Sequence, residues 1–143
     1  MTDDATKAWI QQEEGTKHII YLDHLGNWTC GTGHLLKVGD KLSQETCDAF
    51  FVEDYVNAKA DLGTLYAMYS LPPMGLVREA VMLGMLFQMG LTKVRGFKKM
   101  LVALMDKNWD RAAEEMLDSK WAKQDTPERA KRAAEMMRTG RIS

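Results

Sequence analysis

Glu14, Asp23 and Thr29 are the residues of this sequence whose types and spacing could do chemistry. Glu14 stands immediately before Gly15, at the end of a helical pattern, where the negative end of the helix dipole disfavours a carboxylate. That position predicts a proton held more tightly than usual. A carboxylic acid that stays protonated near neutral pH is what protonation of a glycosidic oxygen requires. Asp23 and Thr29 belong to a hairpin pattern. With a three-residue loop His24-Leu25-Gly26, Asp23 faces Asn27, Leu22 faces Trp28 and Tyr21 faces Thr29. Alternation then puts Tyr21, Asp23, Asn27 and Thr29 on one side of the ribbon. Asp23 and Thr29 become diagonal neighbours about 7–8 Å apart at the backbone, a gap that one water can bridge. A carboxylate and a hydroxyl holding a water, across a cleft from a carboxylic acid, describe an inverting glycosidase. Taken singly, each residue fits a structural role better: a Glu in a fraying last turn, an Asp that opens a turn, a Thr that favours a strand.

The elements that must position these groups are legible in the pattern. Thr2 or Asp3 can cap a helix over 4–14, with Ala8, Trp9 and Ile10 among polar residues and Gly15 as its stop. Lys17-His18-Ile19-Ile20-Tyr21-Leu22 and Asn27-Trp28-Thr29-Cys30 are rich in strand formers, and Asp23 to Gly26 suits a type I turn followed by a glycine bulge. Gly31-Thr32-Gly33-His34 interrupts regular structure, and Gly39-Asp40 marks another turn. Ser43 precedes a long helix carried by Cys47, Phe50, Phe51, Tyr55, Val56 and Ala58 to about Ala60. Pro72 and Pro73 come before an apolar helix over 74–89 that Gly90 ends. Three more helices are expected: 93–106, 109–117 after an Asn108 cap, and 127–138 with Thr126 as cap, Pro127 at its first position and Gly140 beyond it. Phe50, Phe51, Met82, Met85, Leu86 and Met89 read as core filling, and eleven methionines as a pliable interior.

The composition narrows the classes further. The chain has 143 residues, 45% hydrophobic and 27% charged, enough for one compact domain with a real core. No stretch approaches the roughly 20 apolar residues of a membrane span, so stable membrane insertion is not expected. The opening Met1-Thr2-Asp3-Asp4 carries acids where a secretory leader carries bases, which predicts a protein that starts in the cytoplasm. Two cysteines, Cys30 and Cys47, do not make a disulfide framework and are expected as reduced packing residues. His18, His24 and His34 have no metal-ligand spacing, and neither a metal nor a cofactor is implied. Residues 1–90 hold 6 Lys/Arg and 12 Asp/Glu, residues 91–143 hold 13 and 8. A basic second half could meet a polyanion, but acids are interleaved throughout it and no groove helix or aromatic platform accompanies the charge, so nucleic acid is not expected as a partner.

The set Glu14-Gly15, Tyr21, Asp23, Gly26, Thr29, Gly31 and Gly33-His34-Leu35-Leu36 resembles, without gaps, the catalytic signature of the phage-type lysozymes, glycoside hydrolase family 24. Similarity continues in order through Phe87-Gln88-Met89-Gly90, Gly96-Phe97, Trp109-Asp110, Ser119-Lys120-Trp121, Thr126-Pro127, Arg129-Ala130-Lys131-Arg132 and Arg138-Thr139-Gly140. The resemblance implies an α+β, lysozyme-like fold forming a single domain over 1–143. Its lobes would be a hairpin lobe at 14–43, a connecting helix at 44–62, and a helical lobe at 63–143 joined by 1–13. It implies an N-acetylmuramidase that cuts peptidoglycan between N-acetylmuramic acid and N-acetylglucosamine with inversion. Glu14 would be the general acid, with Asp23 and Thr29 placing and activating water. Leu35, Phe87 and Gln88 would serve the substrate cleft, Gln88 with Trp121 behind it. Arg129 would pair with Glu14, an influence opposed to that of the helix dipole. His34 and Asp54 would form a structural pair. A monomer is expected, held in the host cytoplasm until a holin releases it to the cell wall.

The family pattern is longer than this chain between His34 and Asp54, has polar cleft residues where Met100 and Glu115 stand here, and lacks one residue near Asp125. Two other functions stay open at this point. A lytic transglycosylase would need Glu14 but leave Asp23 and Thr29 unemployed. A wall-binding or virion module derived from a lysozyme would bind peptidoglycan without cutting it.

Overall fold

A computed structural model describes residues 2–142. Helix α1 spans Asp3–Glu14 and is capped by the Thr2 side chain, which accepts from Ala5 N–H. Gly15, at φ 69°, turns the chain out of the helix. Strand β1 (Lys17–Leu22) pairs antiparallel with β2 (Trp28–Gly31), with Tyr21 opposite Thr29 and Leu22 opposite Trp28 as the loop length predicts. The register slips between Lys17 and Tyr21, so β1 carries an irregularity there. The segment expected to be irregular after Gly31 instead makes a second tight turn. Thr32 and Gly33 return the chain into a short β3 (His34–Leu35), which pairs with β2 and completes an antiparallel sheet of order β1-β2-β3. Gly31 and Gly33 both adopt positive φ, the conformation such a reversal needs and that glycine adopts without steric cost.

Helix α2 runs from Gln44 to Tyr69, past the expected end near residue 62. Nothing in 61–69 breaks a helix, Gly63 included. Termination comes at Ser70, with φ 49°, ahead of the Leu71-Pro72-Pro73 stop. Helix α3 (Gly75–Met89) ends on Gly90, whose N–H reaches back to Leu86 O. The single helix expected over 93–106 is two: α4 (Leu91–Arg95) and α5 (Lys98–Met105). Gly96 donates to Lys93 O and Phe97 to Val94 O, a tightened turn, and Phe97 takes a non-helical ψ of 59°. Helix α6 (Trp109–Leu117) is capped by Asn108 Oδ1 as expected. A π-helical turn, Trp121–Asp125, then leads into α7 (Pro127–Thr139), which Gly140 closes in the left-handed conformation.

The architecture is α+β, mostly helical with one small antiparallel sheet. Contacts divide it into two compact units, Met1–Gln44 and Glu45–Ser143, with α1 in the same unit as the sheet. Among the described residues, those that are buried and apolar all lie in the second unit, where α6 packs on α5 and α7, and α7 on α3. Met82, Met100, Leu101, Leu104, Met116 and Met137 are its fully buried centre. The methionine-rich interior is therefore real, and Met82, Met85 and Leu86 fill it as expected, with Met89 partly buried against it. Phe50 and Phe51 do not: they are 54% and 58% exposed. Apolar side chains surround α2 rather than forming one stripe, so periodicity alone placed these two on the wrong side. Cys47 is likewise exposed rather than packed, and both cysteines are free.

Candidate active site

Glu14 is the last residue of α1, and its carboxylate lies against the second tight turn of the sheet. A Cβ added at Gly33 would stand 3.0 Å from Glu14 Oε2 and 3.4 Å from its Cδ. Its φ of 68° strains any residue but glycine, and a side chain there would require the Glu14 carboxylate to give way by a few tenths of an ångström. The same turn is tied to the exit of α1 by the hydroxyls of Thr16 and Thr32, 2.8 Å apart. Neither Thr was singled out by sequence reasoning, and nothing in one sequence pairs two hydroxyls sixteen residues apart.

Asp23 opens the hairpin turn. Its Oδ1 accepts from Leu25 N–H at 2.9 Å and from Asn27 N–H at 2.8 Å, while Asn27 Nδ2 stands 3.4 Å from Oδ2. The Asn27 backbone hydrogen bond is the chief reason that the Asp23 carboxyl is held below its usual range, with that from Leu25 acting the same way. The structural role foreseen for this residue, opening a turn, is thus filled by one oxygen, and the second is left largely open. Thr29, opposite Tyr21 and Leu35 in the sheet, is 2% exposed. Its hydroxyl donates to Asn27 O at 2.9 Å. Asn27 thus links the two groups through its main chain. Its N–H goes to Asp23 Oδ1, and its carbonyl accepts both Asp23 N–H, at 2.9 Å, and the Thr29 hydroxyl. With the Thr29 proton committed, Thr29 Oγ1 and Asp23 Oδ2 can both act as acceptors.

His34 and Leu35 form β3, opposite Cys30 and Thr29 respectively. The remaining expected residues lie in the second unit. Asp54 is on the exposed surface of α2. Phe87, part-exposed on α3, meets the Phe51 ring at 5.6 Å, and Phe51 stacks in turn on Tyr55 at 6.2 Å. Gln88 Oε1 accepts from Trp121 Nε1 at 3.0 Å, and its Nε2 donates to Thr126 Oγ1 at 3.3 Å. Thr126 stands at the N-cap of α7, but its side chain makes no cap hydrogen bond there; its hydroxyl accepts from Gln88. Trp121 is buried with the Phe97 ring edge-on to it at 6.3 Å. Arg129 donates to Gly84 O at 3.3 Å. Met100 is fully buried, and Glu115 pairs with Arg111 at 2.9 Å. Asp125 closes the π-helical turn, where Thr126 N–H bonds to Trp121 O five residues back. Such a turn is how a helical segment takes up one extra residue.

Residues 11–136 match the family described as phage lysozyme. Two probable T4-type lysozymes of Dictyostelium discoideum are 27% and 28% identical to the chain, over 96% and 95% of it and 95% of each relative. An endolysin of Acyrthosiphon pisum secondary endosymbiont phage 1 is 39% identical over 57 residues, 38% of this chain and 39% of its own. The first alignment runs over 168 positions against 143 residues here, so this chain carries gaps in it. The class is that of the lysozymes, glycoside hydrolases that degrade peptidoglycan. Within that class, the chain belongs to the phage lysozyme family.

Proposed function

We propose that the protein is an N-acetylmuramidase that hydrolyses the β-1,4 bond between N-acetylmuramic acid and N-acetylglucosamine with inversion. The observation that carries this is the pair of acceptors on the hairpin. A water that donates one proton to Asp23 Oδ2 and the other to Thr29 Oγ1 directs its oxygen lone pairs outward, at the anomeric carbon. Asp23, held ionised by the turn's own amides, takes up a proton as that water attacks. Glu14 delivers its proton to the leaving oxygen on the opposite face of the ring. In this scheme Asp23 and Thr29 hold a water and form no bond to sugar, which is the inverting pattern. Leu35, Phe87 and Gln88 are assigned to sugar contacts. For the biological setting we take release to the wall through a holin pore; the endolysin likeness favours it, and no described helix is long and apolar enough to cross a membrane.

The test is digestion of purified peptidoglycan by the wild type and by Glu14→Gln, with mass spectrometry of the fragments and proton NMR of the first-formed anomer. The wild type should release fragments with reducing muramic acid ends, initially as the α-anomer. Glu14→Gln should lose at least about 100-fold in rate. Anhydromuramic ends would establish a transglycosylase instead, and binding to the wall without soluble product would establish a binding module.

A further inference from the structure

Helix α1 has no buried residue to hold its end in place. Its last residue, Glu14, is followed by Gly15 at φ 69°, and the turn that its carboxylate lies against has Gly31 at φ 59° and Gly33 at φ 68°. Both sides of that contact therefore hang on glycine backbone, which resists rotation less than any other. The β-ladder gives limited help. Lys17 faces Gly31, but the register then slips, and regular pairing resumes only at Tyr21 and Thr29. One residue beyond the Lys17–Gly31 pair on each strand stand Thr16 and Thr32, with their hydroxyl oxygens 2.8 Å apart. Thr16 lies two residues from Glu14, and Thr32 is the chain neighbour of Gly33.

We propose that Thr16 and Thr32 are positioning residues for the general acid: their hydrogen bond locks the exit of α1 to the β2–β3 turn and so keeps the Glu14 carboxylate against Gly33. The proposal rests on the reading of Glu14 as the acid. Neither threonine is among the motif residues that carry the likeness to the phage lysozymes, and neither takes part in the water-holding pair of Asp23 and Thr29. A pair of threonines suits the task. Each Cβ is branched, which limits rotation about χ1, and each hydroxyl can donate or accept, so the pair resists sliding at the end of a ladder. The bond lies near solvent, with Thr16 exposed and Thr32 half-buried. Its net worth is that of an ordinary neutral hydrogen bond, an effect of about 3- to 10-fold. A displaced proton donor costs rate at the bond-breaking step rather than affinity for substrate.

The hydroxyls are removed at nearly constant volume, and rates are measured at a temperature where circular dichroism shows every variant folded. Thr16→Val and Thr32→Val should each lower kcat on purified peptidoglycan about 3- to 10-fold, with KM within about twofold of the wild type. The double variant should lose no more than the slower single one, because the same bond is lost in all three. Thr16→Ser and Thr32→Ser keep the hydroxyl and should hold kcat within about twofold of the wild type. A readout without turnover accompanies the rates: the NMR shift of the Gly33 α-protons as pH passes through the carboxylate range. That response should vanish in Glu14→Gln, shrink sharply in the valine variants and persist in the serine ones. Full kcat in the valine variants overturns the proposal, as do losses that multiply in the double variant or serine variants as slow as the valine ones. A Gly33 response indifferent to Glu14, or unchanged in the valine variants, also overturns it. An inactive wild type overturns the muramidase reading alone, since the Gly33 titration still decides whether the hydroxyl pair holds Glu14 in place.

Discussion

The Glu14 carboxylate lies against Gly33. The Gly33→Ala variant brings a methyl to 3.0 Å from Glu14 Oε2 at a backbone φ of 68°. It should lose about 1–2 kcal/mol of stability to the left-handed strain, and lose activity well beyond that because the acid is displaced. Melting temperature and digestion rate measured on the same preparation separate the two effects. Asp23 supplies a pH signature. Its folded pKa lies below the ordinary value of 3.8, so the ionised carboxylate contributes stability that is fully present above that value. The contribution fades as pH falls through the folded pKa. Asp23→Asn retains an oxygen for the two turn amides but cannot titrate. Thermal melts of the pair should therefore show a gap in favour of the wild type that is constant from neutral pH down to about pH 4 and closes in stronger acid. A gap unchanged down to pH 2 would mean that the turn amides do not favour the charge.

At the scale of elements, one residue of α3 secures two others. Arg78 Nε donates to Met137 O at 2.7 Å, a second guanidinium nitrogen reaches Arg138 O at 3.2 Å, and the guanidinium lies 4.4 Å from the centre of the Trp109 ring. It satisfies carbonyls at the end of α7, where a helix has none of its own partners left, and places a cation at the negative end of the dipole. Arg78→Ala should cost about 2–3 kcal/mol in denaturant unfolding, since charged hydrogen bonds to partly buried carbonyls are lost with the ring contact. Arg78→Lys should recover little of it, having no planar fork. Tyr66 ties α2 to α3 in a similar way, with its hydroxyl 2.5 Å from Glu79 Oε1. Burial, with help from that carboxylate, pushes the phenol up to about 12. The resulting stability is present below pH 10 and lost as pH rises through 12.

Across the whole molecule, burial is uneven. Among the described residues, every buried apolar side chain belongs to the unit Glu45–Ser143, and in the first unit Thr29 alone is buried. Local opening follows local burial. Amide hydrogen exchange should therefore be fastest in α1 and β1, and slowest in α5, α6 and α7; comparable protection in the two units would contradict this. The same contrast separates what could be read in advance from what could not. Local signals determined the hairpin register, the end of α1 at Glu14, the caps of α1 and α6 and the order of the chemical groups. A turn, a cap or an alternation is decided by neighbouring residues, and those are written in the sequence. Tertiary structure alone decided that Gly33 receives the Glu14 carboxylate, that the Thr126 hydroxyl turns to Gln88, and that Phe50 and Phe51 stay outside the core. It also decided that Gly96 and Phe97 split a helix so that the Phe97 ring meets Trp121. Each of these is a competition between partners distant along the chain, and packing density and hydrogen-bond satisfaction in three dimensions decide it.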